Sequence, residues 1–161
     1  MRIVQVGYIQ DDDVRIYIQD TIHEQLLAFA KEDITHERGT FLIGNNVNEG
    51  GSLSTYITGF IEARYTEATA TSLTFTHETW NYVHRELAAN YPNKKIIGWQ
   101  HTHPGLGVFL SSYDLFIHEN YFDLPFLVAY VIDPVRNKEG FFQWKNGGIE
   151  QLKGYYICLS N

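Results

Sequence analysis

Cysteine is almost absent from this chain: Cys158 is the only one in 161 residues. A single thiol excludes an intramolecular disulfide framework and a thiolate zinc knuckle, and it suits a reducing, cytoplasmic setting. Basic residues are also scarce, 12 Lys plus Arg against 19 Asp plus Glu, for a net charge of −7. With no basic stripe to neutralise phosphates, nucleic acid is not an expected partner. Long apolar runs are missing too. The longest, Pro125 to Ile132, is far too short to span a bilayer. The amino-terminal MRIVQVGYIQ, followed by Asp11, Asp12 and Asp13, is neither an apolar signal segment nor an Arg-rich transit peptide. The expectation is a soluble protein that engages no membrane. Only four prolines occur, and there is no Pro-rich linker, internal repeat or low-complexity tract.

What is present is hydrophobic content of 44%, enough to bury one sizeable core, whereas two domains would each be too small. Residues 1–161 are therefore read as a single domain. Alternation at Val14, Ile16 and Ile18 marks a strand. Thr21 with Glu24 then makes a capping box for a helix through about Lys31, with Ile22, Leu26, Phe29 and Ala30 as its buried stripe. Glu37 to Gly44 and Leu53 to Arg64 read as two strands joined by a turn in NNVNEGGS. A second helix starts at a Thr76 cap and runs to about Asn90, with Trp80, Val83, His84 and Leu87 at helical spacing and Pro92 just beyond. Lys95 to His101 returns as a strand, Ser111 to Phe122 as a short helix, and Phe126 to Asp133 as an apolar strand. Gly140 to Lys145 and Ile149 to Leu152 flank an NGG turn. Strands and helices interleave without a regular period, which predicts an α/β fold with a mixed β-sheet flanked by helices.

The chemistry concentrates in HTHPGLGVFLSSYD, residues His101 to Asp114, which fits the pattern HxHx(7)SxxD. Chance would produce that pattern in on the order of one in two thousand sequences of this composition. Histidines at i and i+2 on a strand project from one face, so both imidazoles can converge on one ion. Asp114, on the following helix, supplies a hard oxygen, and three protein ligands leave a tetrahedral zinc one open position for water. Such an ion lowers the pKa of its water to about 7, making a nucleophile available at neutral pH. Ser111 lies i, i+3 from Asp114, placed to donate to a developing oxyanion; a serine at a helix boundary also commonly caps it, and both readings stay open. The motif lacks a proton acceptor, and a carboxylate elsewhere must supply one. Glu37 is the best candidate. Four His-Glu dipeptides occur, but none continues to HExxH, so a helix-borne metalloprotease motif is excluded.

The stretch GWQHTHPGLGVFLSSYD resembles the signature of the JAMM (MPN+) metallopeptidases, and HERGTFLIG is similar to the upstream segment that carries that family's general base. The resemblance implies one catalytic zinc on His101, His103 and Asp114, Glu37 as base, and Ser111 as oxyanion stabiliser. It also implies cleavage of an isopeptide or peptide bond to ubiquitin or a ubiquitin-like modifier. DLFIHENY, VAYVIDP and GFFQWKNGGIEQL look like later segments of AMSH-type deubiquitinases, extending the likeness from about Thr35 to Leu152. Two departures stand out. Phe116 occupies the position where those enzymes hold a structural zinc with a histidine, and the chain between Tyr121 and Phe126 is too short for their Cys/His insertion. Weak linkage selectivity is expected, as in compact prokaryotic members acting on ubiquitin-like or sulfur-carrier proteins. In the family the modifier's C-terminal tail is clamped as a strand, here by Arg64 to Thr76.

Other residues have plainer readings. His118 is expected on the solvent face of its helix, Trp99 and Phe109 line the site or pack in the core, and Asp11 to Asp13 form a solvated turn. Cys158 reads as a small packed residue or part of a frayed tail. Rival functions are a metal-free MPN scaffold, against which the intact ligand set speaks, and a peptidase for small peptides.

Overall fold

The computed structural model describes residues 2–161. Ile16 and Ile18 alternate with Arg15, Tyr17 and Gln19, and this period-two pattern builds β2 (Arg15–Gln19) with both isoleucines fully buried. β2 runs straight into α1 (Asp20–Lys31), so the N-cap position falls on Gln19, which makes no side-chain cap hydrogen bond, instead of on Thr21. Asp20 takes over part of the capping work by accepting from the Thr21 N–H at 2.8 Å. Leu26, Phe29 and Ala30 are its buried face, with Ile22 partly buried beside them.

β3 (Gly39–Glu49) and β4 (Ser52–Glu62) form a hairpin longer than the sequence pattern indicates. Asn45 to Asn48, expected in a turn, stay in the ladder opposite Tyr56 to Leu53, because cross-strand partners are available for every one of them. Only Gly50 and Gly51 adopt positive φ, and they make the turn alone. A bulge at Ile43/Gly44 packs Gly44 against the Tyr56 carbonyl, where no side chain fits. Beyond it come a small two-stranded hairpin, β5 (Glu67–Ala68) with β6 (Leu73–Thr74), and α2 (His77–Asn90), capped by a Thr76/Thr79 box.

β7 (Lys95–Thr102), α3 (Ser112–Tyr121) and β8 (Val128–Asp133) form a parallel strand-helix-strand crossover. β9 (Lys138–Lys145) and β10 (Gly148–Gln151) complete a hairpin around Asn146 and Gly147. The sequence pattern missed two strands, β1 (Arg2–Gly7) and β11 (Gly154–Leu159), which pair with each other. Cys158 therefore sits in a ladder between Ile3 and Gln19, not in a frayed tail. Among the described residues nine strands form one mixed sheet in the order β1-β11-β2-β4-β3-β7-β8-β9-β10. α1 packs on one face with Ile16, Ile18, Leu42 and Tyr130, while α2 and α3 pack on the other with Phe41, Trp99 and Val131. This is the expected α/β architecture. Asp13 departs from the solvated turn predicted for it: it is buried, accepting from Gln143 Nε2 at 3.0 Å and Lys145 Nζ at 3.1 Å. Among the described residues no helix is long and apolar enough to cross a membrane.

Candidate metal centre

The centre lies at the carboxyl end of β7. His101 is held in the sheet between Gly39 of β3 and Val131 of β8. His103 lies just past the strand, yet its N–H donates to the Ile132 carbonyl at 2.9 Å, so the extended backbone continues and both imidazoles point to one face. Their Nε2 atoms are 3.0 Å apart, and each is 3.1 Å from Asp114 Oδ2 on the first turn of α3.

Ser111 is the N-cap of that helix. Its hydroxyl oxygen accepts from the Asp114 N–H at 3.1 Å, and its own N–H donates to Asp114 Oδ2 at 2.9 Å, a reciprocal capping box that also fixes the carboxylate. Capping is thus one role the geometry gives Ser111. Glu37 departs from the expected strand. It lies in the irregular segment before β3, whose ladder begins at Gly39. The Arg38 N–H donates to Thr102 Oγ1, the Thr102 N–H to the Arg38 carbonyl and the Glu37 N–H to the Thr69 carbonyl, and together these pin it opposite the histidines. One donor atom each from Glu37, His101, His103 and Asp114 lies within 4.8 Å of the others, and all four residues are buried.

Burial raises the Glu37 carboxyl to about 7; the Asp114 charge adds to this and His103 offsets part of it. Burial would likewise raise Asp114, but both histidines outweigh it and hold that carboxyl well below the usual range. Burial alone would depress His103, yet its hydrogen bond to Asp114 and that charge carry it upward, whereas fully buried His101 is depressed.

The residues fit a metal ion. Two imidazole nitrogens and a carboxylate are the donor types zinc takes, and the close Nε2 pair cannot share a lone-pair contact without a cation or proton between them. Glu37 Oε1 and His101 Nδ1 are buried with no hydrogen-bond partner among the described residues. His103 Nδ1 lies 3.1 Å from the Gly107 carbonyl, which favours the tautomer whose Nε2 lone pair faces inward. That loop is tied down by fully buried Asp133, which accepts from the N–H groups of Gly105, Gly107, Val135 and Arg136.

Three neighbours complete the picture. Trp99 is fully buried against His101, while Phe109 is 43% exposed and tilts over His103 at the rim. His118 is not on the solvent face. It is fully buried and accepts from Trp99 Nε1 at 2.9 Å. Its spacing of four from Asp114 puts both on one helical face, a signal the sequence does contain. Phe116, two residues from Asp114, points outward at 54% exposure. The Arg64 to Thr76 region folds as the β5–β6 hairpin beside the centre, with Thr74 Oγ1 2.8 Å from the Tyr113 hydroxyl.

A curled mixed sheet with a buried His-His-Asp group at one strand end and a carboxylate across from it is the arrangement expected of a JAMM-type metal site. Residues 16–124 match the family described as JAB1/Mov34/MPN/PAD-1 ubiquitin protease, and the chain belongs to that family. Among its relatives is the NAD(+) hydrolase TcpA of the Theionarchaea archaeon strain DG-70-1. It is 33% identical over 129 residues, 74% of this chain and 36% of that protein. The 26S proteasome regulatory subunit rpn11 of Schizosaccharomyces pombe is 41% identical over 46 residues, 28% of this chain and 15% of that one. The STAM-binding protein of Rattus norvegicus is 40% identical over 57 residues, 35% of this chain and 13% of that one. The chain thus spans a minor part of each. The solution structure of protein DSY2949 from Desulfitobacterium hafniense shares the fold, with a TM-score of 0.65 at 17% identity over 90% of this chain and 92% of that one.

Proposed function

We propose that this chain is a zinc-dependent isopeptidase or peptidase that releases a ubiquitin or ubiquitin-like protein from a conjugate or precursor. The observation that carries the reading is the convergence of four buried donors from three separate places in the chain, Glu37, the His101–His103 pair and Asp114. His101, His103 and Asp114 would hold the ion, which when bound supplies Lewis-acid polarisation and acidifies water. Glu37, with its carboxyl near neutrality, takes a proton from the attacking water and returns it to the departing amine as the amide C–N bond breaks. The Ser111 O–H donates to the oxygen that gains charge in the tetrahedral state. The β5–β6 hairpin has only two strands, so strand addition at one of its edges can seat the modifier's tail.

The name of the NAD(+) hydrolase describes a protein that this chain matches over about a third of its length. The donors assembled here suit amide hydrolysis by activated water, so the peptide reading is kept. A cytoplasmic setting belongs to the same proposal. The test is metal content together with cleavage of ubiquitin-like fusions. About one zinc per chain, loss of cleavage with a chelator and its return with zinc are expected. A metal-free, fully active preparation would overturn the mechanism.

A further inference from the structure

The two imidazoles of the centre are oriented by different means. His103 has the outer-nitrogen hydrogen bond usual for a ligating histidine, to the Gly107 carbonyl. His101 has none, since its Nδ1 is buried without a hydrogen-bond partner among the described residues. Its ring lies flat on the indole of Trp99, centroids 4.4 Å apart and planes within 9°. Trp99 and His101 are i and i+2 on β7, so the strand itself aims them to the same face. The stack restrains χ2 of His101, the torsion that swings Nε2 toward or away from Asp114.

The indole is fixed in turn. Its Nε1–H donates to His118 Nδ1 at 2.9 Å, and an indole N–H can only donate, so His118 is neutral with its proton on Nε2. Burial, helped by the nearby His101, depresses the His118 pKa to about 4, which keeps the accepting form dominant at neutral pH. Phe122 packs nearly parallel to both rings, at 5.7 Å from Trp99 and 5.9 Å from His118.

We propose that Trp99, anchored by His118, is the positioning residue for His101 and takes the place of its missing outer-nitrogen hydrogen bond. This rests on the reading of His101 as a metal ligand. The experiment measures the zinc dissociation constant by competition with a chromophoric chelator, beside thermal unfolding of the metal-free chains. Trp99→Leu removes the stack and should weaken zinc about ten- to a hundredfold, the range for a lost outer-shell partner. His118→Leu should weaken it several-fold, and His118→Gln, which keeps a carbonyl acceptor for the indole, should recover most of that. Trp99→Phe keeps a ring but has no N–H, so adding His118→Leu to it should change little. A purely structural role would lower thermal stability without this pattern. Should Trp99→Leu not fold, the His118 pair decides: equal zinc affinity in the Leu and Gln variants overturns the inference while leaving the centre intact. A wild-type chain that takes no zinc overturns the reading beneath it as well.

Discussion

On the proposed reading Glu37 meets two opposing demands, a proton-accepting role and a place buried near the charge of Asp114. The raised carboxyl has a consequence for stability in the metal-free chain. A folded-state value of about 7 against an ordinary 4.5 means that the folded form holds the proton more tightly. That stabilisation is full below about 4.5 and is lost as pH rises through about 7. Metal-free wild type should therefore lose stability relative to Glu37→Gln across this window. His118 titrates in the opposite sense nearby but is common to both proteins, so it cancels in the difference. Denaturant unfolding at a series of pH values measures this, and parallel curves would refute it. With zinc bound, Glu37→Gln should keep the metal and lose about a hundredfold or more in kcat, whereas His103→Ala should lose the metal too. The clustering of His101, His103 and Asp114, and the capping of the last by Ser111, were legible because these residues fall within one short segment. Glu37 lies 64 positions from His101 and was found only through its resemblance to a family segment. His118 was misread because α3 buries a face wider than its short apolar pattern indicates.

The loop after β7 shows how an element can depend on one distant carboxylate. Asp133, at the end of β8, accepts four backbone N–H groups, and through Gly105 and Gly107 it shapes the turn whose carbonyl meets His103. Gly105 and Gly107 both take positive φ, so the turn has little intrinsic preference of its own to fall back on. Asp133→Ala should cost about 2 kcal/mol or more by leaving these donors unpaired. It should also weaken zinc binding, both measurable by unfolding and chelator competition. Wild-type zinc affinity in a destabilised variant would disconnect the turn from the centre. Helix positions were legible from capping and apolar spacing, at Thr76 and Ser111 above all. Strand lengths were less so. Asn45 to Asn48 carry a turn-like composition, but cross-strand pairing overrides local preference.

The centre joins the segment before β3, the end of β7 and the first turn of α3, so an ion there ties together parts of the chain far apart in sequence. Zinc at about a thousand times its dissociation constant should stabilise the fold by about 4 kcal/mol. For a chain of this size that corresponds to a melting temperature raised by roughly 8–16 °C over the chelated form. Calorimetry checks this, and no shift would mean that no ion binds the folded state. At the same scale, substrate recognition should come mainly from the modifier's tail. Fusions of one ubiquitin-like protein to several targets should be cleaved at similar rates, while proline in the tail should slow cleavage sharply by removing main-chain donors. Strong dependence on the target would overturn this. The mixed α/β class was legible in the interleaving of patterns, but the strand order was not, since nothing local in RIYIQ says that its two neighbours are β4 and β11. That order has a consequence during synthesis. β2 emerges early, yet its β11 edge stays open until residues roughly 135 positions later have been made, about seven to thirty seconds at ordinary elongation rates. For that interval the nascent chain carries an unpaired strand edge, and crowding of ribosomes on one message would bring such edges together before either chain can close its own sheet.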